Sequence, residues 1–558
     1  MRHPLPLPLA AAFSFFSLAA YAQEPTPEPT PTPPAEPVPP VPPAPPDGAG
    51  GAPSDMPTDV PPESSGDNSP LAADGHPMSG WHNGLFYMRD YNDNFRLHVQ
   101  GRAQIDTYTY FGQGVGDTNL KPTMFLRRIR PEVTGEFFHQ WWFMIAGDFG
   151  ATALDNPKGT TETSAASPGA APNATSGRYA SAQTAKISAQ ATDVYLAYAP
   201  HRLFAVQAGQ FDAPFTMENR TSDKYFPWME RALAVRVVGI PTNKEIGGMV
   251  YGETADTLFH YEVGLFNGDG QSRLNTDSRG DVMSRVFFHP LAPFVSDPTL
   301  KTAQIGGSFR YGSRDKSYSS YDYNALTTQG NYTFWNPTYT GAGGFTHILP
   351  SGDQIGVAGE LRIPISMFDL TSEFVYIKNN TREALEGYQA TNTERFGDMS
   401  GYSYYVQLGF WPIGKRDVNG LPGYENQPHV DFKKPDPVTP PRALQLLAKW
   451  EQLALTYKSA SRDGTPDLKN IDGDIKVNAF SLGANYWVTK HIRLTANYVL
   501  NMFPDSAPSS ASAAGGPVWS ATNRAQAPGN TLGKGVNDTA RDNAQSVLEL
   551  LFRFAFAL

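Results

Sequence analysis

Residues 548–558, at the carboxyl terminus, alternate between apolar side chains and polar or small ones. Successive side chains of a β-strand point to opposite faces, so the even positions share one face. That face carries Leu548, Leu550, Phe552, Phe554, Phe556 and Leu558. An apolar face toward lipid and a polar face toward a lumen are typical of the closing strand of an outer-membrane β-barrel. The last strand of a soluble β-sandwich alternates in the same way, so the rest of the chain must decide.

Residues 1–22 have the form of an export signal. Arg2 precedes an apolar stretch, and Ala20-Tyr21-Ala22 has the small-x-small pattern of a signal-peptidase site. We therefore predict cleavage after Ala22. Beyond this signal there is no run of about 18 apolar residues, so any membrane span must be built from strands. The chain has no cysteine, which excludes disulfides and zinc–thiolate sites.

Residues 23–79 are rich in proline, with 19 of the 49 prolines of the chain. The segment has no core-forming pattern, and we predict a disordered, extended periplasmic linker. Contact of this linker with the cell wall is a further hypothesis. The linker carries nine acidic side chains and no Lys or Arg, whereas residues 80–558, the predicted barrel domain, carry 45 acidic and 43 basic ones. The net charge of −10 is therefore a property of the linker.

From residue 95 onward a period-2 pattern recurs and predicts an all-β fold, a transmembrane antiparallel β-barrel. We count 16 candidate strands, with 18 as the alternative count, and residues 84–91 are a further candidate. Short connections fall on one side and most long ones on the other, as in bacterial barrels, but the long connection 412–441 lies on the periplasmic side. The predicted strands are 95–111, 123–138, 141–150, 190–199, 203–212, 246–253, 257–266, 281–290, 301–312, 352–362, 366–378, 400–411, 442–458, 474–488, 491–503 and 545–558.

Six segments resemble the phosphate-selective porin O and P family in their residues and in their order. They are 125–130 (FLRRIR), 209–215 (GQFDAPF), 228–231 (WMER), 245–248 (EIGG), 265–270 (LFNGDG) and 494–499 (LTANYV). The resemblance implies a 16-stranded porin of the bacterial outer membrane, usually a homotrimer. It also implies a long loop that folds inward, with arginine and lysine side chains that guide anions. Leu558 departs from the family pattern, which has an aromatic residue at the terminus.

Strand alternation places equal numbers of basic and acidic side chains toward the lumen, nine of each. We expect many of them to pair across strands, so the balance does not predict a uniformly positive lumen. Selectivity then depends on the narrowest section. The basic side chains are Arg96, Arg102, Arg128, Arg130, Arg285, Arg310, Arg362, Arg493 and Arg553, and the acidic ones are Asp106, Glu132, Asp148, Asp193, Glu262, Glu360, Glu373, Glu451 and Glu549.

The connection 213–245 is the predicted constriction loop, because it combines charged side chains with apolar anchors such as Trp228. It has five basic and four acidic residues, an excess that favours anions only weakly. Arg128 and Arg130 share a strand face, and their guanidinium forks suit phosphate oxygens. The predicted anion pathway comprises Arg102, Arg128, Arg130, Arg220, Lys224, Arg231 and Arg236.

These patterns predict passive, anion-preferring diffusion of phosphate or similar small solutes through a barrel that contacts outer-membrane lipid. They predict no enzyme activity, cofactor, metal or nucleic-acid partner. The alternatives are a non-selective general porin and a barrel that anchors an interaction protein acting through residues 23–79. A barrel hydrolase would need a converging Ser, His and acid, for which the sequence has no motif. A TonB-driven transporter would need a globular plug, for which residues 23–79 lack a core-forming pattern.

Overall fold

The structure is a computed structural model, and residues 68–558 form one compact unit. The predicted signal 1–22 and most of the predicted linker 23–79 lie outside the described residues. In the described part no helix is both long and apolar enough to cross a membrane. The described residues are 70–82, 85–111, 122–150, 160–162, 180–182, 189–240, 243–254, 257–275, 277–315, 323, 326–330, 333–335, 338–341, 344–385, 393–416, 432, 442–461, 471–503 and 546–557.

Strands dominate the described part, which also has one α-helical turn and one 3-10 turn. In chain order they are β1 Ser79–His82, β2 Leu85–Arg89, β3 Phe95–Phe111, β4 Thr123–Phe137, β5 Trp141–Asp148, β6 Thr160–Glu162, β7 Ala180–Ala182, β8 Gln190–His201, β9 Phe204–Asp212, α1 Leu233–Arg236, β10 Lys244–Glu253, β11 Phe259–Phe266, β12 Asp281–Phe288, the 3-10 turn Leu300–Thr302, β13 Gln304–Arg314, β14 Leu326–Thr327, β15 Thr333–Trp335, β16 Thr338–Gly341, β17 Gly344–Ile365, β18 Phe368–Leu385, β19 Thr393–Ile413, β20 Ala443–Ser461, β21 Ile471–Thr489, β22 Ile492–Met502 and β23 Ser546–Ala557.

Sixteen of these strands form a closed antiparallel barrel, which confirms the predicted fold. The barrel runs through β3–β5, β8–β13 and β17–β23, each strand pairing with the next. It closes where β23 pairs with β3, and Arg553 lies opposite Asp106 there. The candidate strand at 84–91 is β2, which lies outside the sixteen. It pairs with β1 and with the first residues of β3.

The two faces of β23 are those that the alternation predicts. Phe552 and Phe554 are 45% and 44% exposed on the outer face, whereas Leu551 and Arg553 are buried. The outer face of β23 is apolar, as contact with lipid requires, whereas its inner face carries both polar and apolar side chains. Aromatic pairs lie at the periplasmic strand ends, for example Trp141 with Tyr198, whose ring centroids are 4.4 Å apart.

Two aromatic residues near the periplasmic strand ends lie on the inner face instead. Trp411 and Trp487 are buried and stack on each other, with ring centroids 5.3 Å apart. Trp411 donates from Nε1 to a carboxylate oxygen of Asp369 at 2.7 Å. A buried indole needs an acceptor for its N–H, and the lumenal face of β18 supplies one.

One side of the barrel is taller than the sequence predicts. β17–β21 have 18–22 residues, whereas β5 and β8–β13 have 8–12. The external connection expected at 313–351 is partly folded, because it contains β14, β15, β16 and the first residues of β17. The pairing of β17 with β18 is irregular between Pro350 and Gln354, where Gly352 has φ of 67°. The turn-like residues there form an irregularity within a strand rather than its end.

Candidate pore constriction

The segment between β9 and β10 lies inside the barrel. We call its described residues, 213–240 and 243, the inner loop. Its observed end is two residues earlier than the predicted one, since Lys244 and Glu245 belong to β10. Most of its side chains are buried, including Phe215, Trp228 and Leu233. An apolar set within a polar lumen keeps the loop in place, because each of these side chains is removed from water.

Hydrogen bonds fix the inner loop to strands on several sides of the lumen. The Thr216 N–H donates to Ser308 Oγ of β13 at 3.0 Å, and Trp228 Nε1 donates to Gln407 of β19 at 2.5 Å. Across the lumen, Arg553 of β23 donates to the Met229 carbonyl at 2.8 Å. The loop therefore spans the interior from one wall to the other.

Asp223 of the inner loop is the meeting point of four arginines. Its carboxylate lies 3.1 Å from Arg128, 2.9 Å from Arg130, 3.2 Å from Arg231 and 3.9 Å from Arg102. Burial raises the pKa of the Asp223 carboxyl, but Arg128, Arg231, Arg130 and Arg102 outweigh it and hold the pKa well below its usual range. The Asp223 side chain is therefore a buried anion held by guanidinium groups.

Glu230, also in the inner loop, binds the neighbouring arginines. Arg127 donates to its two carboxylate oxygens at 2.9 Å and 3.2 Å. Arg553 lies 3.5 Å away and forms its closest ion pair with Asp106, at 2.7 Å. Burial raises the pKa of Glu230, but Arg127, Arg128 and Arg553 together lower it to about 2.

Arg102 and Lys224 share one wall carboxylate. Arg102 and Lys224 lie 2.7 Å and 2.5 Å from Glu132 of β4. We define the arginine cluster as these groups and the ones around Asp223 and Glu230. It has seven basic side chains and five carboxylates. They are Arg102, Arg127, Arg128, Arg130, Lys224, Arg231 and Arg553, with Asp106, Glu132, Asp148, Asp223 and Glu230.

Arg127 was not among the predicted residues, although it lies in the cluster. Strict alternation places Arg127 toward lipid, opposite in direction to Arg128. In the structure Gln104 pairs with Arg128 and Ile105 with Leu126, so Arg127 is an extra residue in β4. A β-bulge of this kind turns two consecutive side chains to one face. The two adjacent arginines, Arg127 and Arg128, could have indicated the bulge in the sequence. Strict alternation would turn one of them toward lipid, which is energetically costly.

The opposite side of the inner loop faces carboxylates. Glu373 of β18 accepts from the Met217 N–H at 2.5 Å and from the Glu218 N–H at 3.1 Å. Glu451 of β20 accepts from the Leu233 N–H at 2.7 Å. Glu218 accepts from the Ala232 N–H at 2.9 Å. We call Glu218, Glu373 and Glu451 the glutamate side.

Lys449 is the basic side chain that accompanies the glutamate side. Its Nζ lies 3.0 Å from Glu451 and 4.8 Å from the centre of the Trp228 ring. Burial raises the pKa of Glu218 to about 7, against the attraction of Lys449 and with the repulsion of Glu451. Glu218 thus keeps its proton to a higher pH than an exposed glutamate, because it is buried next to other carboxylates.

Two predicted pathway residues lie apart from the arginine cluster. Arg220 contacts Glu262 at 3.2 Å and borders a cavity of about 500 Å³ at the periplasmic ends of β8–β11. Arg236, at the end of α1, donates to Thr327 Oγ1 at 2.6 Å. The structure thus brings together Arg102, Arg128, Arg130, Lys224 and Arg231, but not Arg220 or Arg236. Among the described residues no group of three or more side chains could hold a metal ion.

A second segment enters the barrel and lies next to the inner loop. Residues 326–330, between β13 and β17, contact the carboxylates of two different walls. The Gly330 N–H donates to Glu549 of β23 at 2.9 Å, and Gln329 Nε2 donates to Glu451 of β20 at 3.0 Å. The sequence predicted this region only as part of a long external connection.

Residues 97–290 match the model of the phosphate-selective porin O and P family. The match confirms the predicted family. It covers β3 to β12 and therefore includes the inner loop and most of the arginine cluster. With the 16-stranded barrel, it makes the chain a porin of the bacterial outer membrane.

Solved structures with a similar fold are distant in sequence. OmpT, an outer membrane protein of Vibrio cholerae, is 10% identical with a TM-score of 0.42, over 84% of this chain and 98% of that one. An anion-selective porin from Comamonas acidovorans is 11% identical with a TM-score of 0.38, over 83% and 100%. The outer membrane channel DcaP of Acinetobacter baumannii is 10% identical with a TM-score of 0.39, over 84% and 99%. No curated protein sequence matches at a significant level.

Proposed function

We propose that this porin passively admits small anions such as phosphate in preference to cations, with the inner loop as its constriction. The observation that carries the proposal is the convergence of Arg102, Arg128, Arg130 and Arg231 on Asp223. Guanidinium groups donate paired hydrogen bonds that fit carboxylate and phosphate oxygens equally well. An anion that enters the cluster meets donors already oriented toward one negatively charged group.

The charge count of the cluster supports the same preference. Its seven basic side chains exceed its five carboxylates by two. Charges in a narrow lumen are screened less than charges in open water, so a surplus at the constriction outweighs balanced charges elsewhere. In this proposal Arg102, Arg128, Arg130, Lys224 and Arg231 contact the anion, while Arg220 and Arg236 lie on its route.

The proposal keeps the organisation expected from the sequence. Residues 1–22 are an export signal, 23–79 a periplasmic linker, and 80–558 the barrel, which assembles as a homotrimer. Contact between the linker and the cell wall is part of the same proposal. No step of the mechanism needs a cofactor or an energy source, because diffusion follows the solute gradient.

The test is the reversal potential of the purified porin in a planar bilayer under a potassium chloride gradient, with and without phosphate. We expect reversal on the anion side and a reduction of chloride current by phosphate. The double variant R128A/R130A should lose both. The matched control is R279A, because Arg279 is an exposed arginine whose guanidinium contacts Ser313 outside the cluster.

Other outcomes of these measurements would favour a different function. Cation-side or unselective current in the native protein would leave a general porin and remove the anion mechanism. Absence of current from correctly folded protein would favour the anchor hypothesis. R279A removes one positive charge and R128A/R130A removes two, so a loss in R279A of about half that in R128A/R130A would show that the effect depends on total charge and not on the cluster.

A further inference from the structure

The β1–β2 hairpin extends the barrel wall at the seam where the barrel closes. β23 pairs with β3 as far as Ala557, which lies opposite Arg102. β2 pairs with an earlier part of β3, where Met88 lies opposite Leu97. The other edge of β3 is occupied by β4 along this whole stretch. β2 therefore lies on the same edge of β3 as β23 and continues it toward the periplasm.

The two faces of the hairpin differ in what covers them. Tyr87 and Arg89 are buried on the inner face. The Arg89 guanidinium forms two hydrogen bonds of 2.7 Å with Asp74 and lies 4.6 Å from the Phe432 ring centre. On the outer face Trp81, Phe86 and Met88 are 49%, 36% and 38% exposed.

This outer face is continuous with the lipid-facing surface of the barrel. Met88 lies opposite Leu97, and Leu97 shares its side of β3 with Val99, which is 42% exposed, and with Ala103, opposite Phe556. The column of outward aromatic side chains on β23 therefore continues onto β2. The pairing with β3 also indicates how deep the outer face of the hairpin lies relative to the membrane. Phe95 packs on Phe137 in the ring of aromatic residues at the periplasmic strand ends, with ring centroids 5.1 Å apart. Leu97 lies two residues further along β3, on the membrane side of this ring.

We propose that the hairpin face formed by Trp81, Phe86 and Met88 binds the periplasmic leaflet of the outer membrane. The hairpin would then be a lipid-contacting part of the wall rather than a periplasmic extension. Its apolar residues suit this position, because tryptophan and phenylalanine favour the membrane interface. The buried contacts of Arg89 with Asp74 fix the root of the linker to the inner face of the same hairpin.

The absence of cysteine allows a direct test with single-cysteine variants of the full-length porin. F86C and M88C are labelled with a nitroxide in vesicles of phosphatidylethanolamine and phosphatidylglycerol. The measurement is the accessibility of each label to dissolved oxygen and to a water-soluble nickel complex. The matched controls are F554C on the lipid face of β23 and Y91C in the exposed turn after β2.

We expect both hairpin labels to collide more with oxygen than with nickel, as F554C does. The opposite ratio, as in Y91C, would overturn the proposal. Low accessibility to both reagents, with spin–spin broadening between copies, would assign the face to a second copy of the chain and also overturn it. If either variant fails to show the heat-modifiable migration of a folded barrel, W81C reports the same face.

Discussion

The two walls that hold the inner loop bury opposite charges and stabilise them by different means. On the arginine side, strands β3, β4 and β23 present guanidinium groups, and the loop supplies the carboxylates of Asp223 and Glu230. On the glutamate side, strands β18 and β20 present Glu373 and Glu451, and the loop supplies backbone N–H groups. Ion pairs with several guanidinium groups neutralise the first side, whereas hydrogen bonds from the backbone, together with Lys449, satisfy the second.

Because of this difference, removal of one carboxylate should change the stability of the folded porin in opposite directions on the two sides. A buried cation that loses its partner becomes an uncompensated charge, which is costly. A carboxylate surrounded by other carboxylates is already disfavoured, so its neutralisation relieves repulsion. Asp223 and Glu218, five residues apart in the same loop, allow the comparison within one segment.

Asp223→Asn should cause the largest effect. The variant leaves Arg128, Arg130 and Arg231 without their shared carboxylate, and we expect unfolding to be easier by about 3–5 kcal/mol. Urea unfolding of the porin in vesicles at neutral pH measures this change. Added phosphate should restore part of the lost stability, because it can replace the missing anion. An unchanged urea midpoint would mean that the four arginines do not depend on Asp223.

Glu218→Gln should have the opposite sign and a smaller size. The glutamine keeps an oxygen for the Ala232 N–H but cannot ionise. Burial raises the pKa of Glu218 from 4.5 to about 7, so the protonated form stabilises the folded porin below about pH 4.5, and this contribution is lost as the pH rises to about 7. We therefore expect the variant to gain on the order of 3 kcal/mol over the native porin above pH 7, and nothing at pH 4. Urea midpoints at several pH values test it, and a lower midpoint at high pH would contradict it.

The same proton should influence selectivity to a modest degree. Above about pH 7 Glu218 gains a negative charge inside the lumen, so the anion preference of the native porin should decrease as the pH rises from about 5 to 8. The reversal potential of Glu218→Gln should change less over this range. Equal pH dependence in both proteins would place the titrating group elsewhere.

The barrel could be predicted from the sequence because its signal is local. Arg553 and Phe554 are neighbours, and one is buried while the other is exposed, as period-2 alternation requires. The same rule located all sixteen strands. It failed where the backbone departs from strict alternation, at the bulge that turns Arg127 inward and at the irregularity after Pro350.

The pairing within the constriction could not be predicted by local rules. In sequence Asp223 was one acidic residue that offset the basic residues of its own loop. In the structure it contacts Arg102 and Arg130, which are distant in the chain and reach it only because the barrel has closed. The bases of the loop also separate, since Arg231 joins the cluster while Arg220 contacts Glu262 on another wall. Such partners follow from tertiary packing and not from charge counts.

Lys476→Ala should have the smallest effect of these substitutions, because it removes an exposed ion pair instead of a buried one. Lys476 lies 2.9 Å from Asp474, as close as Arg130 lies to Asp223, but the two side chains are 47% and 39% exposed. Water solvates both charges when the pair is broken, so we expect a loss of less than about 1 kcal/mol in urea unfolding and an unchanged reversal potential. A loss as large as that of Asp223→Asn would show that pair distance alone determines the energy. The small loss expected here would instead assign the energy of the arginine cluster to its exclusion from water.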